Sequence, residues 1–140
     1  MRPKDKGTRR ETWVVRLLRE HGLVADRAPN NTPSLDVESK AGPFPLNFEV
    51  KDRGNLNLHG TLADVQRLHT NGVPHVVWHR TKKAETRRVP AGPTLVALPI
   101  DEYAKLMSYL DFLWREHYET GHGTDAVQPG RRDVEEAGEV

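Results

Sequence analysis

Two short runs in the first third of the chain alternate apolar with polar residues: Ser34-Leu35-Asp36-Val37 and Leu46-Asn47-Phe48-Glu49-Val50-Lys51. Side chains at i and i+2 of a strand share a face, so Leu46, Phe48 and Val50 are expected against a core and Asn47, Glu49 and Lys51 on the other side. By the same parity Leu35 and Val37 bury, and Asp36 stays on the polar face. Elsewhere the spacing is helical. Val14, Val15 and Leu18 follow Glu11 at i+3, i+4 and i+7, and Leu62, Val65, Gln66 and His69 repeat that stripe, which points Gln66 inward. The pattern as a whole predicts helix 8–21, strands 23–28, 34–38 and 46–51, helix 60–70, strands 74–80 and 94–98, and helix 100–118. Gly22 is placed to end the first helix.

Strands interleaved with helices in this way describe an α/β fold with a mixed central sheet flanked by helices. Its length suits a single domain over residues 1–118, followed by an acidic, aperiodic segment over 119–140 that reads as a disordered tail. His75-Val76-Val77-Trp78-His79 is a central strand, in which two histidines four apart lie about 13 Å from each other and do not share a zinc. His79, beside Arg80, is a candidate DNA contact and His75 a strand-end residue. The stretch from Arg80 to Pro93 reads as a flexible basic loop. In the last helix Ile100, Tyr103, Ala104, Met107, Leu110 and Trp114 form an apolar stripe expected to be core, with aromatic surface left over for a dimer contact.

Charge adds little in total and more in its distribution. The chain carries 21 Lys and Arg against 20 Asp and Glu, a net of +1. Basic residues concentrate between Arg2 and Arg19 and between Arg80 and Arg88, where Arg9, Arg10, Lys82, Lys83, Arg87 and Arg88 are candidate phosphate contacts; a solvated loop is the alternative for the second group. There is no cysteine, which removes disulfides, thiolate catalysis and Cys-based zinc sites. No apolar run approaches about 20 residues and no signal-like segment opens the chain, so a soluble, cytoplasmic protein of a bacterial or phage-infected cell is expected.

If the two alternating runs pair across Ala41-Gly42-Pro43, Asp36 and Glu49 converge on an oxygen-lined site suited to a hard divalent cation such as Mg²⁺. Lys51 then stands beside it. A metal polarises a phosphoryl oxygen and acidifies its water, and a neighbouring ammonium stabilises the developing charge. The plainer alternative is a solvated Glu-Lys pair on a half-exposed strand.

Thr8-Arg9-Arg10-Glu11 at the start of the first helix, Leu23 to Pro29 after it, the Asp36 strand, Glu49-Val50-Lys51 and the helix from Leu62 to Leu68 resemble, in their order, the PD-(D/E)XK nuclease superfamily. Within it they look most like the archaeal-type Holliday junction resolvases and their phage relatives, over residues 7–80. The resemblance implies a restriction-endonuclease-like fold. It also implies Glu11, Asp36 and Glu49 as ligands of Mg²⁺ (or Mn²⁺ as a substitute), Lys51 as a catalytic partner, and Gln66 near the active site and the DNA backbone. Glu11 as a favourable charge at a helix start, and Gln66 as a core-edge amide, remain the alternatives. Leu35 stands where the motif has proline, with Pro33 two residues further back. The implied activity is metal-dependent DNA cleavage, with a four-way junction as substrate and a homodimer as the acting form. An endonuclease for linear or other DNA, a non-catalytic DNA-binding module of the same fold, and a protein-interaction subunit are the competing readings.

Overall fold

The structure is a computed structural model that describes residues 3–119, with side chains from Gly7 onward. Its elements are α1 (Pro3–Glu20), β1 (Val24–Arg27), β2 (Val37–Ala41), β3 (Phe44–Arg53), α2 (Leu58–Leu68), β4 (Val73–Ala84), β5 (Arg87–Pro90), β6 (Leu95–Ala97) and α3 (Ile100–Tyr118). The chain divides into two compact units, residues 1–102 and 103–140. The expected disordered tail falls outside the described residues except for Glu119.

The first unit is a mixed six-stranded sheet in the order β1-β2-β3-β4-β5, with β6 also on β4. β1, β2 and β3 are antiparallel, and β3 and β4 are parallel. The antiparallel part is local: Gly42, at a φ of 55°, and Pro43 form a two-residue loop that lays Ala41 against Phe44, a conformation in which glycine is favoured at the first loop position. The parallel pair requires a crossover, and α2 supplies it. Helix α1 reaches Asp52 of β3 through Arg10, while the end of α2 meets Asn47. Asp52 and Asn47 point to opposite sides of β3, so the two helices cover opposite faces of the sheet. The α/β architecture expected from the sequence is therefore present.

The core is built from small aliphatic side chains, among them Val14 and Val15 of α1, Ala25, Val37, Leu46, Val65 of α2, Val76 and Val77, with Phe48 as its aromatic member. Leu35 and Val37 bury as parity required. Asn47 does not follow its expected exposure. It is only 4% exposed, because the C-terminal end of α2 closes over it, and its Nδ2 donates to the His69 carbonyl at 3.4 Å and to Asn71 Oδ1 at 3.5 Å. His75 is not a strand-end residue: it is buried, stacked on Phe48 at 4.7 Å between ring centres, with Nδ1 donating to the Val73 carbonyl. His79 is buried too, with Nδ1 at 2.8 Å from Thr94 Oγ1, which takes it out of the surface available to DNA.

The basic segment is the larger departure. Arg80 to Pro93 is not a flexible loop: β4 continues to Ala84, turns through Glu85-Thr86, and returns as β5. The pairing of β4 with β5 is offset by two residues from its pairing with β6, and Ala91 to Thr94 take up the difference. Helix α3, which lies in the second unit from Tyr103 onward, contains no buried residue among those described, and Ile100 and Leu110 are 73% and 58% exposed. Most of the stripe expected to be core is thus exposed, with Trp114 half-buried.

Candidate functional site

Asp36 sits just before β2, one residue ahead of the Val37–Phe48 pair. In a regular antiparallel strand the N–H and C=O of a residue turn toward the same neighbour, but those of Asp36 diverge. Its N–H donates to the Phe48 carbonyl at 2.8 Å and its carbonyl accepts from Ala28 N at 2.9 Å. The ladder position left at Val50 is filled by the side chain: Val50 N donates to Asp36 Oδ2 at 2.7 Å. A backbone irregularity thus fixes the carboxylate at the edge of β3, next to the Glu49 side of the sheet.

Glu49 and Lys51 share that side, and Lys51 Nζ lies 2.8 Å from Glu49 Oε1, with side-chain exposures of 23% for Lys51 and 12% for Glu49. Glu11 approaches from α1, where Arg27 of β1 holds its Oε1 at 3.4 Å. Burial raises the Asp36 pKa, and Glu49 adds to the rise; the Val50 hydrogen bond, Lys51 and Arg27 oppose it. Glu11 is raised as well, first by burial, then by Asp36, against Arg27. Asp36 and Glu11, both partly withdrawn from water and close to each other, therefore lose their protons less readily than free carboxyls.

The donor set has the chemistry for a hard divalent cation, since all its atoms are carboxylate oxygens. Asp36 and Glu49 lie close enough to act on each other electrostatically and would form its core. As the chain is placed, however, no three acidic or imidazole groups among the described residues stand close enough to enclose an ion. Glu11 is engaged by Arg27, so it would join only by giving up that partner.

Gln66 does not point inward. Val65 takes the core position of α2, and Gln66, about 100° further round the helix, is exposed. Among the candidate phosphate contacts, Arg9, Lys82, Lys83, Arg87 and Arg88 are exposed. Arg10 is ion-paired with Asp52 at 3.0 Å, and Arg88 folds back to Thr81, donating to its Oγ1 and carbonyl, both at 2.9 Å. Arg27 as the partner of Glu11 and Asp52 as the partner of Arg10 were missed in the sequence, because both pairs join elements whose packing no periodicity encodes.

No family model matches the chain, and no curated protein matches it in sequence. Among solved structures, it is similar to Hjc, a Holliday junction resolvase from the archaeal hyperthermophile Archaeoglobus fulgidus, with 22% identity and a TM-score of 0.42 over 68% of this chain and 85% of that one. Among the described residues no helix is long and apolar enough to cross a membrane.

Proposed function

We propose that the protein is a metal-dependent DNA endonuclease of the junction-resolving kind, with Asp36, Glu49 and Lys51 as its working residues. The observation that carries this reading is the Asp36 carboxylate, held by Val50 N within electrostatic reach of the Glu49–Lys51 pair. Two partly buried carboxylates with an ammonium beside them are poor packing material, yet they suit phosphodiester hydrolysis. Asp36 and Glu49 would hold Mg²⁺ or Mn²⁺, with Glu11 as a third carboxylate. When bound, such an ion polarises a phosphoryl oxygen and supplies an acidified water. Lys51 Nζ, steered by Glu49, offers a proton donor and a positive charge to the oxygens on which charge develops. Val50 N keeps Asp36 from rotating away.

A four-way junction is the favoured substrate. The resemblance in the order of sequence motifs points to it, and the exposed apolar stripe of α3 supports the two-fold dimer that cutting two opposed strands requires. Junction, linear duplex, flap and RNA substrates incubated with Mg²⁺ and resolved on a gel test the reading directly. Paired symmetric nicks near the branch point are expected. Glu49→Gln and Lys51→Ala should each lower the cleavage rate by about 10²–10³-fold with the melting transition kept. Full activity in Glu49→Gln would remove the assignment, and equal cleavage of linear duplex would leave an endonuclease of broader substrate range.

A further inference from the structure

The face that carries Glu49 and Lys51 continues beyond them. Arg53 is the next β3 residue on that face, and its partner on β4 is Arg80, as Trp78 is the partner of Lys51. Lys82 follows two residues along β4, and the pairing of Ala84 with Arg87 brings a fourth cation to the same side. Trp78 lies within this row, its Nε1 donating to the Arg53 carbonyl at 2.9 Å. Neighbouring positions are about 4.8 Å apart across strands and about 6.6 Å apart along them, so the row is a compact strip of positive charge.

Two further observations set the strip apart from an ordinary solvated surface. Arg10, Arg19, Arg27, Arg67 and Arg115 are each bound to a carboxylate. Arg53, Arg80, Lys82 and Arg87 are exposed, and among the described residues none of them forms an ion pair. Like charges set side by side on a sheet repel, so the arrangement is unfavourable until a polyanion covers it. The hairpin that bears them is also fastened down. Arg88, on the opposite face, grips Thr81 through two hydrogen bonds and lies over Gly54, where a Cβ would come within 2.5 Å of the guanidinium and 2.9 Å of the Thr81 carbonyl.

We infer that Arg53, Arg80, Lys82 and Arg87 form a one-sided track for the phosphodiester backbone of the DNA arm leaving the candidate site. The identity of the polyanion rests on the nuclease reading of that site, whereas the track itself rests on strand register and unneutralised charge. Lys83 and Arg88, although in the same basic segment, lie on the other face and are not part of it.

The test measures binding without cleavage, in full-length protein carrying Glu49→Gln, by fluorescence anisotropy with a labelled DNA duplex over a range of salt concentrations. Arg80→Gln with Lys82→Gln should flatten the slope of log K against log salt by roughly 1.8, about 0.9 per lost contact. Lys40→Gln with Lys83→Gln removes the same charge from elsewhere and should leave the slope unchanged. Equal flattening in both pairs would reduce the effect to net charge and overturn the track, as would no flattening in either. Loss of binding to anionic lipid vesicles with DNA binding intact would overturn it as well. If the wild type failed to cleave any substrate with Mg²⁺ while the two pairs still differed, the nuclease reading would fall and the track would stand.

Discussion

Asp36 shows how much one side chain can be asked to do: it completes a sheet ladder through Val50 N and is also held partly out of water close to Glu49. Because its native carboxyl keeps its proton more tightly than an unfolded one, the contribution of Asp36 to stability is largest at low pH. It falls as pH rises from the ordinary aspartate value of about 4 through the raised native one, and is level above that. Asp36→Asn keeps an oxygen for Val50 N and removes the charge. In the absence of divalent ions it should melt at a higher temperature than the wild type at pH 7, with the difference closing toward pH ~3, and Mg²⁺ should stabilise only the wild type. A lower melting temperature at pH 7 would mean that Lys51 and Arg27 outweigh burial. At this scale the sequence was legible where a period of two decides: Leu35, Val37, Phe48, Glu49 and Lys51 all fall as alternation requires. It misled at Gln66, where a one-residue shift on a helix rotates a side chain by about 100° from core to solvent, and at Asn47, where the covering element comes from far along the chain.

Among the elements, the β4–β5 hairpin was the least visible in advance. Arg87-Arg88-Val89-Pro90 has no apolar alternation, and the turn uses Glu85 at a φ of 54° instead of the glycine or asparagine that usually marks a hairpin. Its pairing comes from the backbone and from Arg88, not from a buried face. Gly54→Ala tests that account, since the added methyl meets Arg88 and the Thr81 carbonyl together. Overpacking there should cost about 1–3 kcal/mol, read as a lower denaturation midpoint. Amide exchange from Thr81 to Pro90 should accelerate more than in the central strands. Exchange that stays uniform would show that the hairpin holds without the Gly54 junction. By contrast, the pairing of β2 with β3 was legible in the sequence from two alternating runs around Gly42-Pro43, although the strands run on to Ala41 and begin again at Phe44, which shortens the expected turn to two residues.

For the whole molecule, the open question of assembly turns on α3, whose periodicity was read correctly and whose environment was not. Ile100, Tyr103, Met107 and Leu110 recur at helical spacing yet are exposed; periodicity identifies an apolar stripe but not what covers it. A dimer at micromolar concentration is expected by light scattering, and Met107→Glu with Leu110→Glu should yield monomers that still bind linear duplex. A wild type that elutes as a monomer would remove this role. The sheet itself is poorly suited to joining a second copy. Its outer strands are short, β1 with four residues that include Asp26 and Arg27, and β5 and β6 with four and three, their continuity broken at Ala91 to Thr94 by Gly92 and Pro93. A strand from another chain needs a long run of unpaired backbone groups to add to, and short, charged or interrupted edges deny it. The two-residue offset along β4 therefore has a protective side: among the described residues, it leaves the β5–β6 side of the sheet without a long edge that could template aggregation.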